Sequence, residues 1–158
     1  MSSYDALLAR LADVDALFAA SGIMEWDQQT YMPPGGAEAR AAHVGILSRM
    51  AHETFVADET RTLIEKARGE VEPGSDRAAL VRVVQRDLDL RTKIPASLVE
   101  EKSRLSSIAH EEWVRARKAS NFKGFQGTLE RMFEIEFHQY FASSLAKLQQ
   151  FVDDGLVR

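Results

Sequence analysis

The sequence has 158 residues, 45% hydrophobic and 28% charged, with a formal net charge of −4 and no cysteine. A chain of that length suits one domain over residues 1–158 and removes roughly 70% of its unfolded surface from water. The acidic balance argues against nucleic acid, the lack of cysteine excludes disulfides and thiolate metal sites, and acids running through MSSYDALLARLADVDALF argue against a signal peptide or membrane span, leaving the cytoplasm as the expected compartment.

Leu7, Leu8, Leu11, Val14, Leu17 and Phe18 recur at helical spacing after Ser2 and Ser3, either of which can cap, so a first helix is predicted from about Ser3 to Gln28. A second helix follows from Gly36 or Ala37 to about Thr54, with Ala41, Val44, Leu47, Met50 and Ala51 on one stripe. Asp58 is expected to cap a shorter third helix through Ala67, and Gly69–Ser75 reads as a loop. From Asp76 to Lys93 a fourth helix carries Leu80, Val83, Val84, Leu88 and Leu90, and Ile94-Pro95 ends it, because a residue before proline is pushed out of the helical region.

The fifth helix runs from Pro95 to about Ala119 with Leu98, Val99, Leu105, Ile108, Ala109, Trp113 and Ala116 on its buried side. Asn121 is expected to cap a long last helix that Gly155 closes. That helix carries apolar residues around much of its circumference, including Phe133, Phe137, Tyr140, Phe141, Leu145, Leu148, Phe151 and Val152. It is therefore either central in the bundle or in contact with another chain. With no strand-like alternation and no internal repeat, the fold class is all-α: a single bundle of about six helices, mostly antiparallel.

The chain's least generic stretch is Met24–His43, MEWDQQTYMPPGGAEARAAH. Pro33-Pro34 stops a helix, Gly35-Gly36 lets the backbone reverse, and Ala-Glu-Ala-Arg restarts it, so the stretch reads as a corner. Trp26 and Tyr31 each combine a large apolar face with a polar edge and suit a buried hinge. Asp27, with Gln28 and Gln29, stands near a helix C-terminus, where an acid is disfavoured unless paired; Arg40 or Arg49 is the expected partner.

WDQQTYMPPGGAEARAAH, followed by LSRMAHE, resembles the N-terminal signature of the carboxypeptidase Taq family of metallocarboxypeptidases, and TKIPASLVEEKSRLSSIAHEEWVRARKASNF resembles that family's next block in the same order. The resemblance runs from about Tyr4 to about Leu129 and corresponds to roughly the N-terminal third of a typical member. After Leu129 the sequence is expected to depart from the family pattern. The resemblance implies an activity that releases C-terminal residues from peptides with zinc or another divalent metal. It also implies that this region walls one side of the substrate groove, which makes Trp26, Asp27, Gln28, Thr30, Tyr31 and Arg40 the groove or corner candidates.

A zinc peptidase site on a helix needs two histidines four apart and a glutamate beside the first. His52-Glu53 is followed by Val56 and His110-Glu111 by Val114, so neither pair forms HExxH; no metal ligand or catalytic residue is assigned and no cofactor is expected on this chain. A di-iron bundle fails too, because Arg40, Arg49, Ser107 and Ile135 stand three residues before the four histidines. Glu130, Glu134 and His138 share a helix face and read as a solvated stripe ahead of a weak cation site. No Gly-x-Ser-x-Gly, cysteine nucleophile or phosphate-cradling glycine loop occurs. The expected role is a truncated carboxypeptidase Taq member without catalysis of its own, or alternatively a non-catalytic interaction module. The expected partner is a second copy through the last helix or a separate chain bearing HExxH.

Overall fold

The computed structural model describes the backbone of residues 2–33 and 35–153, and the side chains of those residues except 142–143 and 145–153. The described residues form six helices and no strand: α1 (Ser3–Thr30), α2 (Ala37–Val56), α3 (Asp58–Glu70), α4 (Asp76–Arg91), α5 (Ala96–Lys118) and α6 (Lys123–Asp153). The expected all-α class is therefore what the chain adopts. Closure of α6 by Gly155, the role of Pro34, and the packing of Leu145, Leu148, Phe151 and Val152 lie outside the described residues.

Ser2 opens α1 with a capping box: its hydroxyl accepts from the Asp5 N–H, and the Asp5 carboxylate accepts from the Ser2 N–H. A more distant group completes this end. The Glu70 carboxylate, at the last residue of α3, accepts the Ser3 and Tyr4 N–H groups at 3.0 Å each. Glu70 is thus helical, and the loop begins at Val71, two residues later than Gly69. Asp58 does not cap α3. Ala57 holds the cap position without a side-chain bond, while Asp58 and Glu59 sit in the first turn, where negative charge complements the helix dipole. Asn121 does act as a cap, its carboxamide oxygen accepting from the Gly124 N–H at 3.3 Å.

The core joins α1 to α4 through Leu7, Val14, Ala51, Phe55, Ile64, Ala67, Val81 and Leu88. Arg10 of α1 ties the α2–α3 junction beside it, donating to the Thr60 hydroxyl at 2.9 Å and the Thr54 carbonyl at 3.1 Å, and pairing with Glu59 at 2.7 Å. From this core α2 extends against α5 through small residues. A Cβ placed on Gly45 would sit 3.2 Å from the Glu100 carbonyl oxygen, so the two helices approach closely there. Arg49 does not reach Asp27; it pairs with Glu53 of its own helix and with Glu100 of α5.

Several predicted core positions turn outward. Leu8, Phe18, Met50, Val83 and Trp113 are each about two-fifths exposed, with values of 39–44%. The buried residues of α1, Tyr4, Leu7, Val14 and Ser21, define a narrower stripe than its apolar residues do. Over its described side chains, helix α6 is not central. It lies against α5, buries Ile135, and leaves Phe133, Phe137, Tyr140 and Phe141 in solvent. Ser120 makes the turn into α6 with a left-handed φ of 49°, and the Asn121 N–H reaches back to the Ala116 carbonyl at 2.8 Å, a Schellman-type ending with serine where glycine is usual.

Candidate functional site

The corner after α1 is built as its sequence suggests. The Tyr31 and Met32 N–H groups both return to the Asp27 carbonyl at 2.9 Å, Gly35 supplies a φ of 93°, and α2 starts at Ala37. Across this turn the Arg40 guanidinium pairs with the Asp27 carboxylate, both side chains being partly buried. Of the two arginines considered, Arg40 is therefore the partner. Its Nε is buried and has no acceptor, so the carboxylate is the group that neutralises it.

Gln28 is the inward-facing residue of this corner. Its amide nitrogen donates to the Ser107 carbonyl at 2.8 Å, and its amide oxygen accepts from the Ser107 hydroxyl at 2.7 Å. Successive side chains of a helix are offset by about 100°, so the turn that carries Gln28 toward α5 carries Trp26 away. Trp26 is 59% and Tyr31 77% exposed, which corrects the expectation of a buried hinge. The two rings meet edge to face with centroids 5.7 Å apart. Thr30 is exposed and turns its hydroxyl back to the Trp26 carbonyl at 2.8 Å. The six candidate residues thus divide: Asp27, Arg40 and Gln28 hold the corner together, while Trp26, Tyr31 and Thr30 line its outer side.

Beside Gln28 lies a cleft of about 320 Å³ between α1, α2 and α5, bordered by Glu25, Gln29, Val44, Ser103, Ser106 and His110. Sequence reasoning missed it. Its signal was a serine run on α5, Ser103, Ser106 and Ser107, which has no apolar content to mark it as a helix contact. Lys102 closes the far side, held by Glu136 at 2.7 Å and Gln139 at 2.9 Å on α6.

His52 is buried, and its Nε2–H donates to the Ile94 carbonyl at 2.9 Å where α4 gives way to α5. Burial pushes the ring below its ordinary pKa, outweighing the carbonyl that favours the charged form. His110 packs beside Trp113, and His138 beside Phe137. Glu130 accepts from Gln126, and Glu134 pairs with Arg131. Among the described residues no three of these donor types converge, so they do not fit the ligand set of a resident metal.

Fold and site together define an all-helical module with a polar cleft and no assembled metal centre among its described residues. The chain belongs to the carboxypeptidase Taq (M32) metallopeptidase family, whose model matches residues 6–158. The match continues through α6, so the departure expected after Leu129 does not occur. The chain is 27% identical over 129 residues to thermostable carboxypeptidase 1 of Pyrococcus furiosus, covering 82% of this chain and 26% of that protein. It is 30% identical over 123 residues to carboxypeptidase 1 of Bacillus subtilis, covering 77% and 24%. The crystal structure of BsuCP superposes with a TM-score of 0.83 at 25% identity, covering 89% of this chain and 28% of that one. The chain therefore spans about a quarter of the length of the curated relatives it matches, less than the third expected.

Proposed function

We propose that these residues serve a metal-dependent carboxypeptidase as a non-catalytic helical part, which contributes to the release of C-terminal residues from peptides only together with polypeptide bearing HExxH. Family membership at a quarter of the relatives' length, in a sequence without HExxH, is the observation that carries this reading. In it, the outer side of the corner, with Trp26, Thr30 and Tyr31, faces the substrate groove, and the Asp27–Arg40 and Gln28–Ser107 pairs hold that wall in place. The metal, zinc or another divalent ion, belongs to the HExxH-bearing portion. The working compartment is the cytoplasm; no helix among the described residues is long and apolar enough to cross a membrane.

The test is an assay of the purified chain with zinc or cobalt on peptides with free C-termini. The expected result is no release. Metal-dependent release abolished by a chelator overturns the assignment of catalysis to another portion. The alternative, a self-associating module, is favoured by one observation: the aromatic face that α6 leaves exposed.

A further inference from the structure

We propose that the aromatic stripe of α6, Phe133, Phe137, Tyr140 and Phe141, is the face on which the HExxH-bearing portion of a carboxypeptidase Taq enzyme docks, a proposal that rests on the functional reading above. Positions 133, 137 and 140 follow the four-then-three spacing that keeps side chains on one helix face. Ile135, 2% exposed, marks the opposite face, which α5 covers. The stripe residues are 50–72% exposed, and the Phe137 and Phe141 rings stack with centroids 5.8 Å apart.

Their extent fits a stable interface. An aromatic side chain buries about 150–250 Å². At these exposures the four offer roughly 500 Å², more than half of the ~800 Å² per partner of a standard interface. Two observations select the occupant. The chain covers 24–26% of relatives that carry about three times as much further polypeptide, and the family match runs through this helix and so includes the stripe. Charge adds one feature: Glu130 lies on the stripe with Gln126 as its hydrogen-bond partner, whereas the bordering Glu134 and Glu136 are already neutralised by Arg131 and Lys102. A partner that sets a lysine or arginine beside Glu130 complements the stripe.

The test co-expresses the full 158-residue chain with the remainder of Bacillus subtilis carboxypeptidase 1, beyond the 24% that this chain covers. The two should co-purify, and Phe133→Ser with Phe137→Ser should weaken the complex by at least about tenfold, the scale of losing one interface anchor. Thermal unfolding of the isolated variant should match that of the unsubstituted chain, because both positions are exposed. A complex of undiminished affinity overturns the stripe as the docking face and leaves the functional reading standing. A chain that sediments alone as a dimer, dispersed by the same substitutions, gives the face to a second copy. Failure of the unsubstituted chain to form any complex overturns both the docking face and the functional reading.

Discussion

Gln28 near the end of α1 and Ser107 in α5, 79 positions apart in sequence, hold each other by two hydrogen bonds, one through the serine hydroxyl and one through its carbonyl. The pair fixes the spacing of the helices that border the cleft. Gln28→Ala leaves the buried Ser107 hydroxyl without its partner, and an unsatisfied buried polar group costs about 1–3 kcal/mol. Ser107→Ala removes only the hydroxyl bond and should cost about 0.5–1.5 kcal/mol. Thermal unfolding reads the order directly, at about 2–4 °C per kcal/mol for a domain of this size; the reverse order would show that the pair does not hold the helices.

Asp27 and Arg40 make the corresponding bond across the corner. Asp27→Asn keeps the shape and removes the charge, leaving a guanidinium whose Nε already lacks an acceptor. Because the side chains are 31% and 22% exposed, solvent screens the pair, and the expected loss is about 1 kcal/mol. A double-mutant cycle with Arg40→Met should return a coupling energy of that size. Unchanged stability in Asp27→Asn would remove the corner's electrostatic lock from the account.

Two glycines in helices should respond oppositely to alanine. Gly22 of α1 has nothing within 4 Å of an added Cβ, so Gly22→Ala should stabilise by about 0.5–1 kcal/mol through helix propensity. Gly45 of α2 faces the Glu100 carbonyl at 3.2 Å and the Glu100 Cγ at 3.3 Å, against a helix backbone that does not yield. Gly45→Ala should destabilise by about 1–3 kcal/mol, the cost of overpacking, despite the same propensity gain. Urea unfolding of the two variants side by side checks the contrast.

Acid should weaken the fold in two stages. His52 has a lowered pKa because it is buried, so the unfolded chain takes up its proton more readily than the folded one. Its contribution is complete above about pH 6.5, the ordinary histidine value, and is lost as the pH falls from there through the lowered folded value. Glu70 and Asp5 follow at lower pH. Hydrogen bonding from Ser3 and the Tyr4 backbone lowers the first, and hydrogen bonding from Ser2 the second, so both contributions vanish as the pH falls below the carboxylate range. The urea midpoint should drop between about pH 7 and pH 5, and His52→Gln should flatten that drop. An identical slope in the variant would assign it to other groups.

Helices α1, α2 and α5 were legible because local chemistry bounds them: the Ser2 cap, the Pro-Gly corner, and Pro95 before α5. The Asp27–Arg40 pair was legible because a helix-terminal acid demands a cation nearby. What stayed hidden depends on rotation and distance. Apolar content places Trp26 inward, yet the side chain that reaches α5 is Gln28, and no local rule marks a glutamine as an interhelical clasp. Likewise Glu70, read as part of a loop, gains its meaning from Ser3 and Tyr4, more than sixty positions away.

That same carboxylate stands at the negative pole of one rod and the positive pole of another. Alone, an acid closing α3 opposes its dipole; against the first amides of α1 the opposition reverses. The first and third helices therefore terminate each other, and a version of the chain shortened past Tyr4 would leave α3 with an ending it cannot hold on its own.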